Sequence, residues 1–221
     1  MRYEYLSYPL TDELPIYGSK ASLGIHPIKS IENGNSANVF SFTIQNHWGT
    51  HIDCPAHFFE RGEKVVDYPP EFWLFKSPQV LNISLEPVEI LRCNAWSKTI
   101  RGDTDILLFK SELSKYRGED IYNCENPGIH PEVGLYLRKN YPNIRVVGID
   151  WLSISSYKDR ELGREAHRAF LDPEGLNNPI AIIEDMNLSH DLTSLKEVII
   201  LPLRIDTLDS APCTIIGLFN D

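Results

Sequence analysis

The sequence predicts a mixed α/β fold, built as one domain spanning residues 1–221 around a central sheet with flanking helices. Three observations carry this. Short β-branched and aromatic runs outnumber helical stretches. At least one strand–helix–strand passage is present, the pattern of a βαβ unit. A chain of 221 residues with 42% hydrophobic content can bury one sizeable core.

The first forty residues read as irregular, with Pro9, Pro15, Gly18, Gly24, Pro27 and Gly34 leaving room only for short extended pieces. Val39 to Ile44 alternates β-branched and aromatic residues and reads as a strand leading into a histidine-rich segment. Ser77 to Leu85 predicts another strand, and Asp105 to Lys110 is a short apolar run typical of a buried one. Pro131 to Asn140 predicts a helix: Pro stands at its start, Val133, Tyr136 and Leu137 form an apolar face, and Arg138 and Lys139 close the last turn. Ile144 to Asp150 is then a strand, Arg164 to Leu171 a short helix, and Ile180 to Glu184, Glu197 to Leu203 and Cys213 to Phe219 are strands. The strand order does not follow from this pattern. Phe72-Trp73-Leu74-Phe75 reads as core, a lid or a subunit contact.

The net charge of -10 and the lack of any run of Lys and Arg argue against a nucleic-acid binder. No apolar run approaches the ~18 residues of a membrane helix. Cys54, Cys93, Cys124 and Cys213 form no CxxC pair and fit no zinc-finger spacing. The N-terminus lacks a basic stretch followed by an apolar one, so a reduced cytoplasmic setting is expected. Neither a GxGxxG nor a P-loop occurs, and no redox or nucleotide cofactor is expected.

The chemistry concentrates in His47-Trp48-Gly49-Thr50-His51-Ile52-Asp53-Cys54-Pro55-Ala56-His57. Three of the seven histidines fall in this eleven-residue window, together with Asp53. Imidazole nitrogen and carboxylate oxygen are ligands for Zn²⁺, Mn²⁺ and Fe²⁺. Gly49 allows a turn that brings His47 and His51 together, and His51 and Asp53, two apart, share one face of an extended piece. A lone histidine is more often a surface or hydrogen-bonded core residue; three with an aspartate around Gly-Thr are not. Structural zinc sites lean on thiolates, and only Cys54 is near, so the ligand set favours a catalytic site. Glu184 ends an apolar strand, where an unpaired carboxylate is costly and a cation would relieve that cost. His167, in a polar helix, would by itself read as exposed or capping, and Asp150 as a turn or cap. His26 and His130, each before Pro, read as loop residues, and Cys54 as packing.

The pattern His-x-Gly-Thr-His-x-Asp-x-Pro-x-His resembles the signature of the cyclase-like metal hydrolases, which include bacterial kynurenine formamidases and isatin hydrolases. The resemblance runs on through Ser7-Tyr8-Pro9-Leu10, Pro15-Ile16-Tyr17-Gly18, Val147-Gly148-Ile149-Asp150, Ala166-His167-Arg168, Ile182-Ile183-Glu184 and Asp209-Ser210-Ala211-Pro212. It implies a swivelling β/α/β domain with a barrel-like core. It implies that His47, His51 and Asp53 hold one divalent metal, Zn²⁺ or Mn²⁺. Asp53, His167 and Glu184 would hold or bridge a second where two are present, and His57 would be the acid/base. Tyr17, where the formamidases tend to carry Trp, would lie over the substrate, and the segment Asp172 to Pro179 is expected near the same pocket. A homo-oligomer is also implied, a dimer or a multiple of it.

The expected reaction is hydrolysis of an amide-type C–N bond in a small molecule, in which the metal activates water and polarises the carbonyl while His57 moves the proton. The alternatives are a metal-dependent lyase or cyclase acting on a small carbonyl compound, and a non-catalytic metal-binding protein.

Overall fold

The structure is a computed structural model that describes residues 1–220. Its N-terminal stretch is more strand-rich than the prolines and glycines suggest: β1 (Arg2–Tyr5), β2 (Leu14–Ile16), β3 (Ser19–Ala21) and β4 (Gly24–Lys29) all precede β5 (Val39–Thr43). Next come β6 (His51–Asp53), β7 (Leu74–Phe75), β8 (Pro78–Asn82), β9 (Ile90–Leu91) and β10 (Ile106–Lys110). The remainder is α1 (Asp120–Cys124), β11 (Gly128–Ile129), α2 (Pro131–Asn140), β12 (Val146–Ile149), α3 (Arg160–Leu171), β13 (Ala181–Glu184), β14 (Leu195–Pro202) and β15 (Ser210–Phe219).

The main sheet has nine strands in the order β7-β14-β15-β6-β13-β12-β10-β8, with β1 also on β15. β8, β10, β12 and β13 run parallel, and α2 and α3 make the crossovers between the last three of them. β6 lies antiparallel between β13 and β15 and joins this parallel half to an antiparallel half of β15, β14, β7 and β1. The sheet curls until β14 approaches β8, giving a nearly closed barrel.

Period two along the strands builds two cores. Ile106 and Leu108 of β10, Val146 and Ile183 face inward, with Ile52, Val198, Ile200, Ile215 and Phe219. Leu107, Phe109, Val147, Ile149 and Ile182 face the helices and meet Val133 and Leu137 of α2 and Ala166, Phe170 and Leu171 of α3. Strands buried on both faces lose the polar alternation of half-exposed ones, which is why these runs read as continuously apolar.

Helix α2 has the predicted limits, with Pro131 in its first turn and the His130 side chain accepting from the Glu132 N–H. Helix α3 begins a turn earlier than the sequence suggests, because Asp159 caps it by accepting from the Leu162 N–H. Arg138 belongs to the basic last turn of α2 but is buried, and its guanidinium donates to the carbonyls of Ala169, Asp172, Leu176 and Asn177. That clamp ties the segment after α3 to the end of α2, so Asp172 to Pro179 is not among the residues around the pocket where it was expected.

Val39 to Thr43 forms the predicted strand, which pairs with β4 in a hairpin whose residues are almost all exposed. Of the readings open for residues 72–75, core holds: Trp73 and Phe75 are buried, Phe72 stacks on Tyr68 and only Leu74 is exposed.

Candidate metal centre

Strand β6 carries the predicted pair. His51 and Asp53 point to one face, and both are buried. The antiparallel register sets Glu184 directly opposite His51, hence on the same face. Helix α3 brings His167 over this face. Its Nε2 lies 3.7 Å from Asp53 Oδ2 and 3.5 Å from Glu184 Oε1, while His51 Nε2 lies 3.6 Å from both Asp53 Oδ1 and Glu184 Oε2. Two carboxylates and two imidazoles thus face one another across a small box. His47 joins from the preceding turn, its Nδ1 3.1 Å from Asp53 Oδ1. Gly49 makes that turn at φ +66°, and a side chain there would meet Leu10 at 2.8 Å.

The histidine tautomers follow from hydrogen bonds on the far side of each ring. His51 Nδ1 lies 2.8 Å from the Gly49 carbonyl and His167 Nδ1 2.9 Å from the Gly163 carbonyl. A carbonyl only accepts, so each Nδ1 carries hydrogen and each Nε2 turns a lone pair toward the carboxylates. Lone pair against carboxylate is repulsive unless a proton or a metal lies between them. His51 Nε2 is in fact buried without any hydrogen-bond partner. Groups so placed are costly unless compensated. An Nε2 lone pair backed by an Nδ1–H bond to a carbonyl is also the usual arrangement of a metal-ligating histidine. The donor set therefore fits a divalent metal.

The electrostatics of the box have the same origin. Burial opposes charge on His167, but hydrogen bonds to Asp53 and Glu184 overrule it and push the group up to about 10. Burial likewise works against the Asp53 charge, yet His51 and His47 hold that carboxyl well below its usual range. Glu184 is fixed from behind, where its Oε1 accepts from the Ser153 hydroxyl at 2.9 Å and the Ile154 N–H at 2.8 Å.

His57 stands at the rim. Pro55 starts a short 3₁₀ turn that carries the ring away from β6. Its Nδ1 lies 2.9 Å from Asp209 Oδ2, and that contact, ahead of the opposing effect of burial, lowers the Asp209 carboxyl. Asn46 Nδ2 donates to the other oxygen, Asp209 Oδ1, at 2.9 Å. A His57 ring nitrogen also comes within 4.8 Å of ligand atoms of His47 and Asp53. Asp209 was not singled out from the sequence as a site residue; it stood only within the Asp209-Ser210-Ala211-Pro212 stretch of the resemblance.

Tyr17 lines a cavity of about 180 Å³ beside the box, together with Pro15, His47, His51, Leu152 and Glu184. Its hydroxyl donates to the Ser156 carbonyl at 2.8 Å. Asp150 is buried outside the box, where it accepts from the N–H groups of Ser111 and Glu112 and from the Ser111 hydroxyl, a structural role as expected. Cys54 is buried, and burial pushes its thiol up.

A barrel-like mixed sheet around a His-carboxylate box defines a class of metal-handling α/β proteins, and comparison with known proteins narrows it. The chain belongs to the putative cyclase family, whose model matches residues 5–156. That span includes the His47–His57 segment; His167 and Glu184 lie beyond it. The kynurenine formamidase of Bacillus cereus (strain ATCC 10987 / NRS 248) is 27% identical over 210 residues, covering 94% of this chain and 92% of that protein. The kynurenine formamidase of Bacillus anthracis is 27% identical over 209 residues with the same coverage. Among solved structures, isatin hydrolase A from Labrenzia aggregata superimposes with a TM-score of 0.82 at 21% identity, covering all of this chain and 94% of that one. A predicted metal-dependent hydrolase from Bacillus stearothermophilus gives 0.72 at 21% identity, covering 98% and 97%.

Proposed function

We propose that the chain is a metal-dependent hydrolase of an amide-type C–N bond in a small molecule. The observation that carries this is the box of His51, Asp53, His167 and Glu184, in which a buried imidazole nitrogen lacks a hydrogen-bond partner beside an open cavity. The names of the relatives, a formamidase and an isatin hydrolase, both denote hydrolysis of such a bond.

His47, His51 and Asp53 would hold one divalent cation, Zn²⁺ or Mn²⁺, and Asp53, His167 and Glu184 a second. A cation there acidifies water and polarises a carbonyl. The remaining work falls to side chains of the chain itself. Asp209 accepts from His57 Nδ1–H, leaving Nε2 as the nitrogen that takes a proton and returns it to the leaving nitrogen. Ser153 and the Ile154 N–H keep Glu184 aimed into the box. Tyr17 and Leu152 form an apolar wall against which a planar substrate can lie.

The test is to load the purified protein with Zn²⁺ or Mn²⁺ and assay formanilides, N-formylkynurenine, isatin and simple lactams. Release of formate or of a ring-opened acid is expected. No turnover with any metal across that panel would refute the assignment.

A second copy of the chain is the partner we infer. An isolated two-stranded hairpin is marginal in water, yet β4–β5 exposes Ile25, Ile28, Phe40 and Phe42. A trough lined by Leu10, Phe42, Ile44, Leu201 and Leu203 adjoins it. Hairpin and trough on one face suit a self-complementary contact between two copies. The four free thiols fit a reducing, cytoplasmic compartment, and among the described residues no helix is long and apolar enough to cross a membrane.

A further inference from the structure

Arg160 is set apart from the other arginines of α3. Arg164 pairs with Glu161 and Arg168 with Glu165 along the helix surface. Arg160 has no carboxylate within ion-pair distance among the described residues, and the neighbouring Asp159 carboxylate is taken up in capping α3. Two rings nevertheless hold the guanidinium in a defined place. It lies 4.3 Å from the centroid of Tyr157 and 5.6 Å from that of Tyr17, and the two tyrosines pack edge to face at 5.3 Å. The Tyr17 hydroxyl is locked on the Ser156 carbonyl, so the ring has one orientation. That ring also lines the cavity beside the metal box. Tyr17 thus stands between the box and an exposed cation that has no carboxylate paired to it among the described residues.

We propose that Arg160 is a substrate-specificity residue that receives a carboxylate on the substrate, so that the enzyme takes anionic aryl amides whose aromatic ring lies against Tyr17. This rests on the hydrolase reading above.

The physical case has three parts. A guanidinium presents a planar fork that matches a carboxylate in two hydrogen bonds, and stacking on aromatic rings presets that fork. The Glu184 carboxylate of the box lines the cavity, and the chain carries a net charge of -10, so an anion approaching the site meets repulsion that a positioned cation must offset. Finally, Tyr17 adds no opposing charge: burial, above all, pushes its hydroxyl up to about 12, so it stays neutral beside Arg160.

The experiment compares 2-, 3- and 4-formamidobenzoate with neutral formanilide on the Zn²⁺- or Mn²⁺-loaded protein. The readout is the ratio of kcat/KM for the best carboxylated substrate to that for formanilide. Arg160→Gln should lower this ratio about tenfold or more, through KM, and Arg160→Lys should recover part of it, since charge survives and the fork does not. Raising the salt concentration should erode the ratio in the wild type only. A ratio unaltered in Arg160→Gln, or a fall shared equally by formanilide, overturns the proposal. Calorimetry separates this outcome from failure of the hydrolase reading: benzoate should bind wild type about tenfold or more tighter than Arg160→Gln, with no such difference for benzamide. If no substrate is turned over, the hydrolase reading falls, and the benzoate result still decides whether Arg160 is an anion site. Arg160 is exposed on the first turn of α3, so both variants should melt with the wild type.

Discussion

Metal removal should invert the pH dependence of stability, and His167 sets the size of the effect. In the metal-free protein the box holds its two carboxylates together by protonating histidine, and His167 rises from 6.5 to about 10 when folded. A group whose folded value is raised contributes stability that is fully present below its unfolded value and is lost as pH climbs through the folded one. The window therefore runs from about pH 6.5 to about 10. At about 1.36 kcal/mol per pH unit the whole span is worth at most about 5 kcal/mol. For a chain of this size each 1 kcal/mol moves Tm by roughly 2–4 °C, so a fall on the order of 10 °C is expected between the two ends. Metal competes with the same protons, so the loaded protein should gain stability over metal-free protein as pH rises. The assay is thermal melting of EDTA-treated and metal-loaded protein from pH 6 to 10. His167→Gln in the metal-free state should flatten the slope in excess of the general alkaline decline. A metal-free protein whose Tm is level across this range, or whose slope survives in His167→Gln, would refute the charge balance derived for the box.

His51→Ala and Asp53→Ala should each cut bound metal sharply, with Asp53→Ala at least as damaging because its two oxygens face different histidines; metal retained at the wild-type level, by elemental analysis, rejects these ligands. His57→Asn should keep most of its metal and its Tm while turnover falls by ~10²–10⁴; loss of metal instead would make His57 a ligand, the role its approach to His47 and Asp53 also allows. Asp209→Asn removes the carboxylate that accepts from His57 Nδ1–H and fixes its ring, so turnover should fall with little change in KM or bound metal; turnover at the wild-type level breaks the dyad. Phe40→Asp with Phe42→Asp should convert a wild-type oligomer to monomer by sedimentation velocity, and a monomeric wild type at micromolar concentration would remove the second copy.

Much of the site was legible because it is local. His47, His51 and Asp53 lie on one turn and one three-residue strand, so sequence spacing and the period of a strand suffice to bring them together. Glu184 was legible for a different reason: an acid ending an apolar strand needs a partner wherever that strand goes. His167 came from resemblance alone, since the arginines and glutamates around it give α3 a polar look that hides one buried face. Asp209 and Arg160 were beyond reach. The roles proposed for them depend on contacts 152 residues away in one case and on the stacking of two tyrosines far apart in the chain in the other. The strand at Val39 to Thr43 was legible from its β-branched and aromatic alternation, but its exposed pairing with β4 was not, since that depends on a partner strand outside the window.

What holds the box in register is a second cluster just outside it. Asp185 follows Glu184 in the left-handed region, at φ +54°, which a non-glycine residue adopts only with compensation. The compensation is specific. Arg117 grips its carboxylate through Nε and Nη2, at 2.9 and 2.8 Å, and the Tyr122 hydroxyl donates to Oδ1 at 2.6 Å. Its carbonyl accepts from the Thr50 hydroxyl at 2.5 Å, and that hydroxyl in turn accepts from the Tyr8 N–H at 3.0 Å. Thr50 precedes His51 and Asp185 follows Glu184, so one hydrogen bond ties together the ends of the two strands that carry His51 and Glu184. The Thr of the His-x-Gly-Thr-His segment thus acts as a tether: it sets the distance from β6 to β13, while the metal would span the same two strands from the other side. Since β6 is the seam between the parallel and antiparallel halves of the sheet, the tether joins the two halves of the barrel, and a metal in the box would join them a second time. Activity and global stability should therefore depend on the same few residues.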